Sequence, residues 1–102
     1  MATTTDAQQR AMTDLKSIAL MLGDLPDVAD EWATLGEGER VSWSTDWSNE
    51  MSGLQCLAEY AREGLLTPDQ EGRLHELLVE LKAALPIVRR LNLYAPPVLL
   101  EA

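Results

Sequence analysis

Apolar residues recur at helical spacing along most of this chain, and the first segment shows the pattern clearly. Its apolar positions are separated by 4, 3 and 4 residues: Ala11, Leu15, Ile18 and Leu22. This spacing places them on one face of an amphipathic helix. The pattern predicts a helix over about 6–22, which Gly23 ends because glycine readily adopts the left-handed conformation of a helix stop.

The next segment predicts a second, shorter helix over about 25–35. Pro26 falls in its first turn, where the missing N–H costs nothing, and Gly36 ends the helix. Its early turns carry three carboxylates, Asp27, Asp30 and Glu31. In the predicted helix they lie near the positive N-terminal end, which favours negative charge, so part of the acidity has a structural explanation.

The strongest periodicity belongs to a third helix, predicted over about 40–63. Its apolar seam repeats every 3 or 4 residues and consists of Trp43, Trp47, Met51, Leu54, Ala58, Ala61 and Leu65. Polar residues, among them Gln55 and Arg62, occupy the opposite face. We therefore expect this helix to pack on one side and to meet water on the other.

The segment from Gly64 to Gln70 is typical of a tight turn between two helices. Gly64 suits a left-handed helix stop, and Thr67 followed by Pro68 suits the start of the next helix. Gln70 stands three residues after Thr67 and completes a capping box. A connection of four residues makes the two helices antiparallel.

A fourth helix is predicted over about 68–91, with Pro86 as the position of a kink and Asn92 as the stop. Its leucine-rich stripe consists of Leu74, Leu77, Leu78, Leu81, Leu85 and Val88. The tail over 93–102 contains paired prolines and is expected to be extended, yet it is apolar enough to lie in a groove. That groove belongs either to its own domain or to a partner.

These segments predict an all-α fold, a small up-and-down bundle of four helices with an extended C-terminal tail. A length of 102 residues suits one domain, over 1–102, and is too short for two independent cores. The N-terminal residues lack the pattern of a secretion signal, and no apolar run is long enough to span a membrane. With a single cysteine, the chain is expected in the reducing cytoplasm.

Charge narrows the choice of partners. The chain carries 17 acidic and 8 basic residues, a formal net charge of −9, which argues against direct binding to nucleic acid or to a membrane. The charge is concentrated in residues 24–50, where eight carboxylates accompany one basic residue, Arg40. A protein partner of this segment is therefore expected to be basic.

Few residues of the chain are candidates for catalysis or metal binding. His75, the one histidine, has Glu71 four residues before it, but metal sites on helices need further ligands. Cys56, the one cysteine, has no basic neighbour in sequence that would activate it and is expected to be a buried apolar residue. We therefore expect no cofactor, no metal and no enzymatic activity.

The residues predicted to bind a partner combine acidic and aromatic side chains: Asp27, Asp30, Glu31, Trp32, Glu37, Glu39, Trp43, Asp46 and Glu50. The alternatives for these residues are a solvated acidic face and tryptophans that serve the core. The leading hypothesis is a non-catalytic, regulatory interaction module. The others are an acidic DNA-mimic inhibitor of a nucleic-acid-binding protein, of the anti-restriction or antitoxin type, and a small structural subunit of a homodimer.

Overall fold

The computed structural model describes residues 3–101, and every regular element in this range is a helix. Three long helices dominate, α1 (Thr4–Glu31), α2 (Glu37–Arg62) and α3 (Pro68–Ala83), and two short ones follow, α4 (Leu85–Arg90) and α5 (Pro97–Leu100). A single 3-10 turn, Trp32–Thr34, follows α1 directly. The predicted all-α bundle is confirmed.

The first helix is longer than predicted. It begins after Thr3, whose hydroxyl accepts the Asp6 N–H at 3.1 Å, and continues unbroken to Glu31. The predicted stop at Gly23 and the separate helix over 25–35 are therefore wrong. Within residues 3–101 the one glycine with positive φ is Gly64, so Gly23 never adopts the conformation that ends a helix.

Pro26 lies inside α1 and removes one backbone hydrogen bond. The helix continues past it because the residues on either side of that turn, Leu25 and Ala29, are buried in the core. Their burial holds the second half of α1 against the bundle, and tertiary packing outweighs the local preference to break.

The three long helices run up, down and up. Trp32, just past the end of α1, packs on Trp43 near the start of α2, whereas Asp14 in the first half of α1 lies beside Gly53 in the second half of α2. Those two helices are therefore antiparallel. The Gln70 side chain at the start of α3 donates to the Gln8 carbonyl at 2.9 Å near the start of α1, so α3 is parallel to α1. It is antiparallel to α2, as the short turn predicts.

The turn between α2 and α3 forms as its sequence predicts. Gly64 has φ 72°, and the N–H groups of Gly64 and Leu65 donate to the carbonyls of Ala61 and Tyr60, a Schellman ending. Thr67 and Gln70 exchange two hydrogen bonds of 3.1 Å, which confirms the capping box.

The predicted interruption at Pro86 is also confirmed. The third helix ends at Ala83, and the chain restarts as α4 at Leu85. Asn92 then ends α4 with φ 57°, and the Leu93 N–H donates to the Val88 carbonyl at 2.9 Å. Asparagine here replaces the more usual glycine at the left-handed position of the same kind of ending.

The C-terminal tail packs on its own domain. It is extended only over 93–96, after which α5 forms, and Val98 and Leu99 are buried. The indole N–H of Trp47 donates to the Tyr94 carbonyl at 2.8 Å, and the Val98 N–H donates to the Gln55 side chain at 2.9 Å. The face of α2 that was expected to meet water is therefore partly covered by the tail.

Side chains from all five helices form the hydrophobic core, with Trp47, Ile18 and Met51 among the fully buried ones. Residues 3–101 contain no helix that combines the length and the apolar character needed to cross a lipid bilayer.

Candidate functional site

Five of the predicted partner-binding carboxylates meet where α1 gives way to α2. We call this surface the acidic corner: Asp27, Asp30, Glu31, Glu37 and Glu39. All five side chains are exposed. The first three belong to the last turns of α1 and the other two to the first turn of α2.

The acidic corner combines carboxylates at the negative end of α1 with carboxylates at the positive end of α2. Glu37 and Glu39 lie at the positive end of α2, where carboxylates are stabilised, and Glu39 also accepts the Gly36 N–H at 3.3 Å. Asp30 and Glu31 lie in the last turn of α1, which contains no basic residue. The sequence-based explanation that placed them at a positive helix end is wrong, because the helix that they belong to ends there rather than begins.

Two arginines from other elements satisfy the carbonyls at this helix end. Arg40 donates to the carbonyls of Trp32 at 2.8 Å and Ala33 at 3.1 Å, and Arg90 of α4 reaches the Ala29 carbonyl at 3.4 Å. These contacts occupy the guanidinium of Arg40. Within residues 3–101 no carboxylate of the acidic corner has an ion pair at 4.0 Å or less.

The three tryptophans form a ladder beside the acidic corner. Trp47 is fully buried and stacks on Trp43, with ring centroids 5.5 Å apart, and Trp43 meets Trp32 edge to face at 6.5 Å. Trp32 and Trp43 are half-buried. Trp47 therefore serves the core, whereas the other two each keep part of a ring surface open to solvent next to the carboxylates.

Asp46 and Glu50, the remaining predicted residues, lie farther along α2. Glu39, Trp43, Asp46 and Glu50 are spaced by 4, 3 and 4 residues, so they share one helix face that is about 16 Å long. Burial raises the pKa of the half-buried Glu50, and the negative charges of Asp14 and Asp46 raise it further. The acidic surface thus continues from the corner down one side of α2.

The other candidates from the sequence stay apart. His75 is exposed on α3, and Cys56 is a half-buried free thiol on α2. In the part of the chain that the structure describes, no three side chains of histidine, cysteine, aspartate or glutamate are grouped so that they could hold a metal ion.

Sequence reasoning missed an apolar groove between α1 and α3. It encloses about 600 Å³ and is lined by Met12, Leu15, Lys16, Ala19, Leu20 and Arg73. Met12 is 58% exposed and Leu20 is 73% exposed. Both fall outside the apolar stripe predicted for this helix, and two large apolar residues off the stripe are the signal that could have revealed the groove.

Comparison with known proteins gives no assignment, since no protein-family model, no curated protein and no solved structure matches the chain.

Proposed function

We propose that this protein is a non-catalytic regulatory module that binds a basic protein partner through the acidic corner and the adjoining face of α2. The observation that carries the proposal is the position of Asp30 and Glu31 at the negative end of α1 without an ion pair. Carboxylates there oppose the helix dipole and so weaken the fold. A partner's lysines and arginines would neutralise them.

The tryptophans supply the apolar component of such an interface. Half-buried Trp43 stacks on the fully buried Trp47, and half-buried Trp32 meets Trp43 edge to face, so both rings are held in place by aromatic contacts. Rigid, partly exposed aromatic rings bind with little loss of conformational entropy and are frequent at the centres of interfaces. They also attract a cation placed over the ring face. The half-buried free thiol of Cys56 agrees with a reducing cytoplasmic setting for this interaction.

The DNA-mimic alternative receives less support from this arrangement. Mimicry of a duplex needs carboxylates spread along an extended surface at phosphate-like intervals. Here five carboxylates gather at one corner, and only Asp46 and Glu50 continue along the same face of α2.

The homodimer alternative depended on the leucine stripe or the tail as an apolar surface. Leu74, Leu77 and Leu81 are buried in the core of the same chain, and so are Val98 and Leu99 of the tail. The main apolar residues of both segments are therefore used inside one chain, although Tyr94 and Leu100 of the tail are 43% and 60% exposed, and we do not propose these segments as a dimer interface.

Affinity capture from cells of the native host tests the proposal with two charge-matched variants. In the first, five carboxylates of the acidic surface become amides: D27N, D30N, E31Q, D46N and E50Q. In the second, five carboxylates elsewhere are changed: E59Q, E63Q, D69N, E71Q and E80Q. Both remove five negative charges, so their difference reports position rather than net charge.

The wild type and the second variant should retain the same basic protein, and the first variant should lose it while circular dichroism shows that it remains helical. Retention by the first variant would exclude the acidic surface as the binding site. Release of the captured protein by a short DNA duplex would instead favour the DNA mimic.

A further inference from the structure

The groove between α1 and α3 has an unusual charge for this protein. Lys16 and Arg73 line it together with apolar side chains, and none of its lining residues is a carboxylate. The whole chain has 17 acidic and only 8 basic residues. An apolar strip whose charged lining residues are both basic therefore differs from the acidic character of the remaining surface.

Both cations are available to a ligand. No ion pair of Lys16 is present among residues 3–101, and Arg73 pairs with Glu76 at 3.0 Å. The side chains of Arg73 and Glu76 are 44% and 64% exposed. An exposed pair of this kind contributes little free energy, so an incoming carboxylate can replace Glu76 at small cost.

The apolar part of the groove has the dimensions of a helix contact. Met12 and Leu20 are eight residues apart on α1, a distance of about 12 Å or two helical turns. Leu15 and Ala19, which lie between them in sequence, also line the groove. A second helix laid along this strip would cover it with apolar residues at i, i+4 and i+7.

We propose that this groove is a second docking site, which binds an amphipathic helix of a partner protein whose apolar stripe is flanked by carboxylates. The carboxylates would pair with Lys16 and Arg73 while the apolar residues cover Met12 and Leu20. This site shares no residue with the acidic corner, so the two surfaces bind ligands of opposite charge.

A second copy of this chain is a poorer occupant. Two chains of net charge −9 repel each other, and a stable interface of this kind needs about 800 Å² from each partner. Among the lining residues only Met12 and Leu20 are both large, apolar and prominently exposed. An apolar strip of this size suits one helix rather than a whole protein face.

The test uses two synthetic helical peptides of about 15 residues. Both carry leucines at i, i+4, i+7 and i+11, flanked by glutamates in one peptide and by lysines in the other. Binding is followed by NMR through the methyl signals of Met12 and Leu20 and the backbone signals of the acidic corner. The glutamate peptide should shift the signals of Met12 and Leu20, and the lysine peptide should shift those of the acidic corner.

Two substitutions assign the contact to the groove. K16E should weaken the glutamate peptide about threefold, the effect of losing one exposed ion pair, whereas K82E on exposed α3 surface should not. L20N should weaken it about tenfold through lost apolar contact, and V79N, at a valine that is 55% exposed and lies outside the groove, should leave it unchanged.

Three results would overturn the proposal. The first is that the glutamate peptide shifts neither methyl signal. The second is that the lysine peptide occupies the groove at least as tightly. The third is that the Met12 and Leu20 signals move with protein concentration alone, which would show that a second copy covers the groove.

Discussion

The carboxylates at the end of α1 should make the domain less stable than it would be without them. Asp30 and Glu31 lie in a last turn that has no basic residue of its own, and Asp27 stands four residues before Glu31 on the same exposed face. Arg40 and Arg90 donate to carbonyls at this helix end and offset part of the unfavourable charge. A charge of the wrong sign at a helix end costs about 0.3–1 kcal/mol. A like-charge pair at this spacing adds about 0.2–0.5 kcal/mol. The double variant D30N/E31Q should therefore be more stable by about 1 kcal/mol.

Urea denaturation followed by circular dichroism measures this change. With a slope of about 2 kcal/mol per molar urea, the midpoint of D30N/E31Q should rise by about 0.5 M. The matched control is E37Q/E39Q, which also removes two negative charges but takes them from the positive end of α2. Its midpoint should fall, because favourable dipole interactions are lost.

Salt gives an independent check, since both shifts should shrink as ionic strength rises. If D30N/E31Q lowers the midpoint as E37Q/E39Q does, the carboxylates of α1 contribute to the fold. The reasoning that assigns them to partner binding would then be refuted.

Three further predictions use the same denaturation assay. Burial and nearby carboxylates raise the pKa of Glu50, so the folded protein binds a proton at this carboxylate more readily than the unfolded chain does. The free energy of unfolding therefore increases as the pH falls through that pKa. E50Q should be more stable than the wild type at neutral pH and should lose this part of the pH dependence. W47F removes buried volume and the indole hydrogen bond of Trp47 and should cost about 2–3 kcal/mol; no loss would refute its place in the core. G23A should stabilise the protein by about 0.5–1 kcal/mol because Gly23 is helical and surrounded by open space. G64A should destabilise it by about 1 kcal/mol because Gly64 has φ 72°. Changes in stability of the same sign for both variants would contradict this reasoning.

Local signals predicted the turns well. The Schellman endings at Gly64 and Asn92 and the capping box of Thr67 and Gln70 each depend on a few adjacent residues and on hydrogen bonds within one turn. Such features are encoded where they occur, so the sequence alone is sufficient to predict them.

The failure at Gly23 has a different cause. The apolar stripe continues through it in phase, with Ile18, Leu22, Leu25 and Ala29 spaced by 4, 3 and 4 residues. That continuity favours a single helix, and it outweighed the local preferences of Gly23 and Pro26 because the packing of Leu25 and Ala29 stabilises the helical form.

The wrong helix boundary at Gly23 also led to a wrong explanation of the acidic residues in the candidate site. The acidic cluster is apparent in the sequence. Whether the helix dipole stabilises or destabilises its carboxylates depends on which helix end they occupy, and that follows only from the length of α1. The groove was harder to predict, because it forms only where α1 and α3 lie side by side in the folded chain.

The attachment of the tail has a consequence for the synthesis of this protein. Tyr94 provides the hydrogen-bond acceptor for Trp47, and Val98 and Leu99 complete the core. Until residues 93–99 have left the ribosome, the apolar surface that they cover on the other helices stays exposed. The complete core therefore forms only once these residues are available, and Trp47 and the other apolar side chains that the tail covers stay exposed until then.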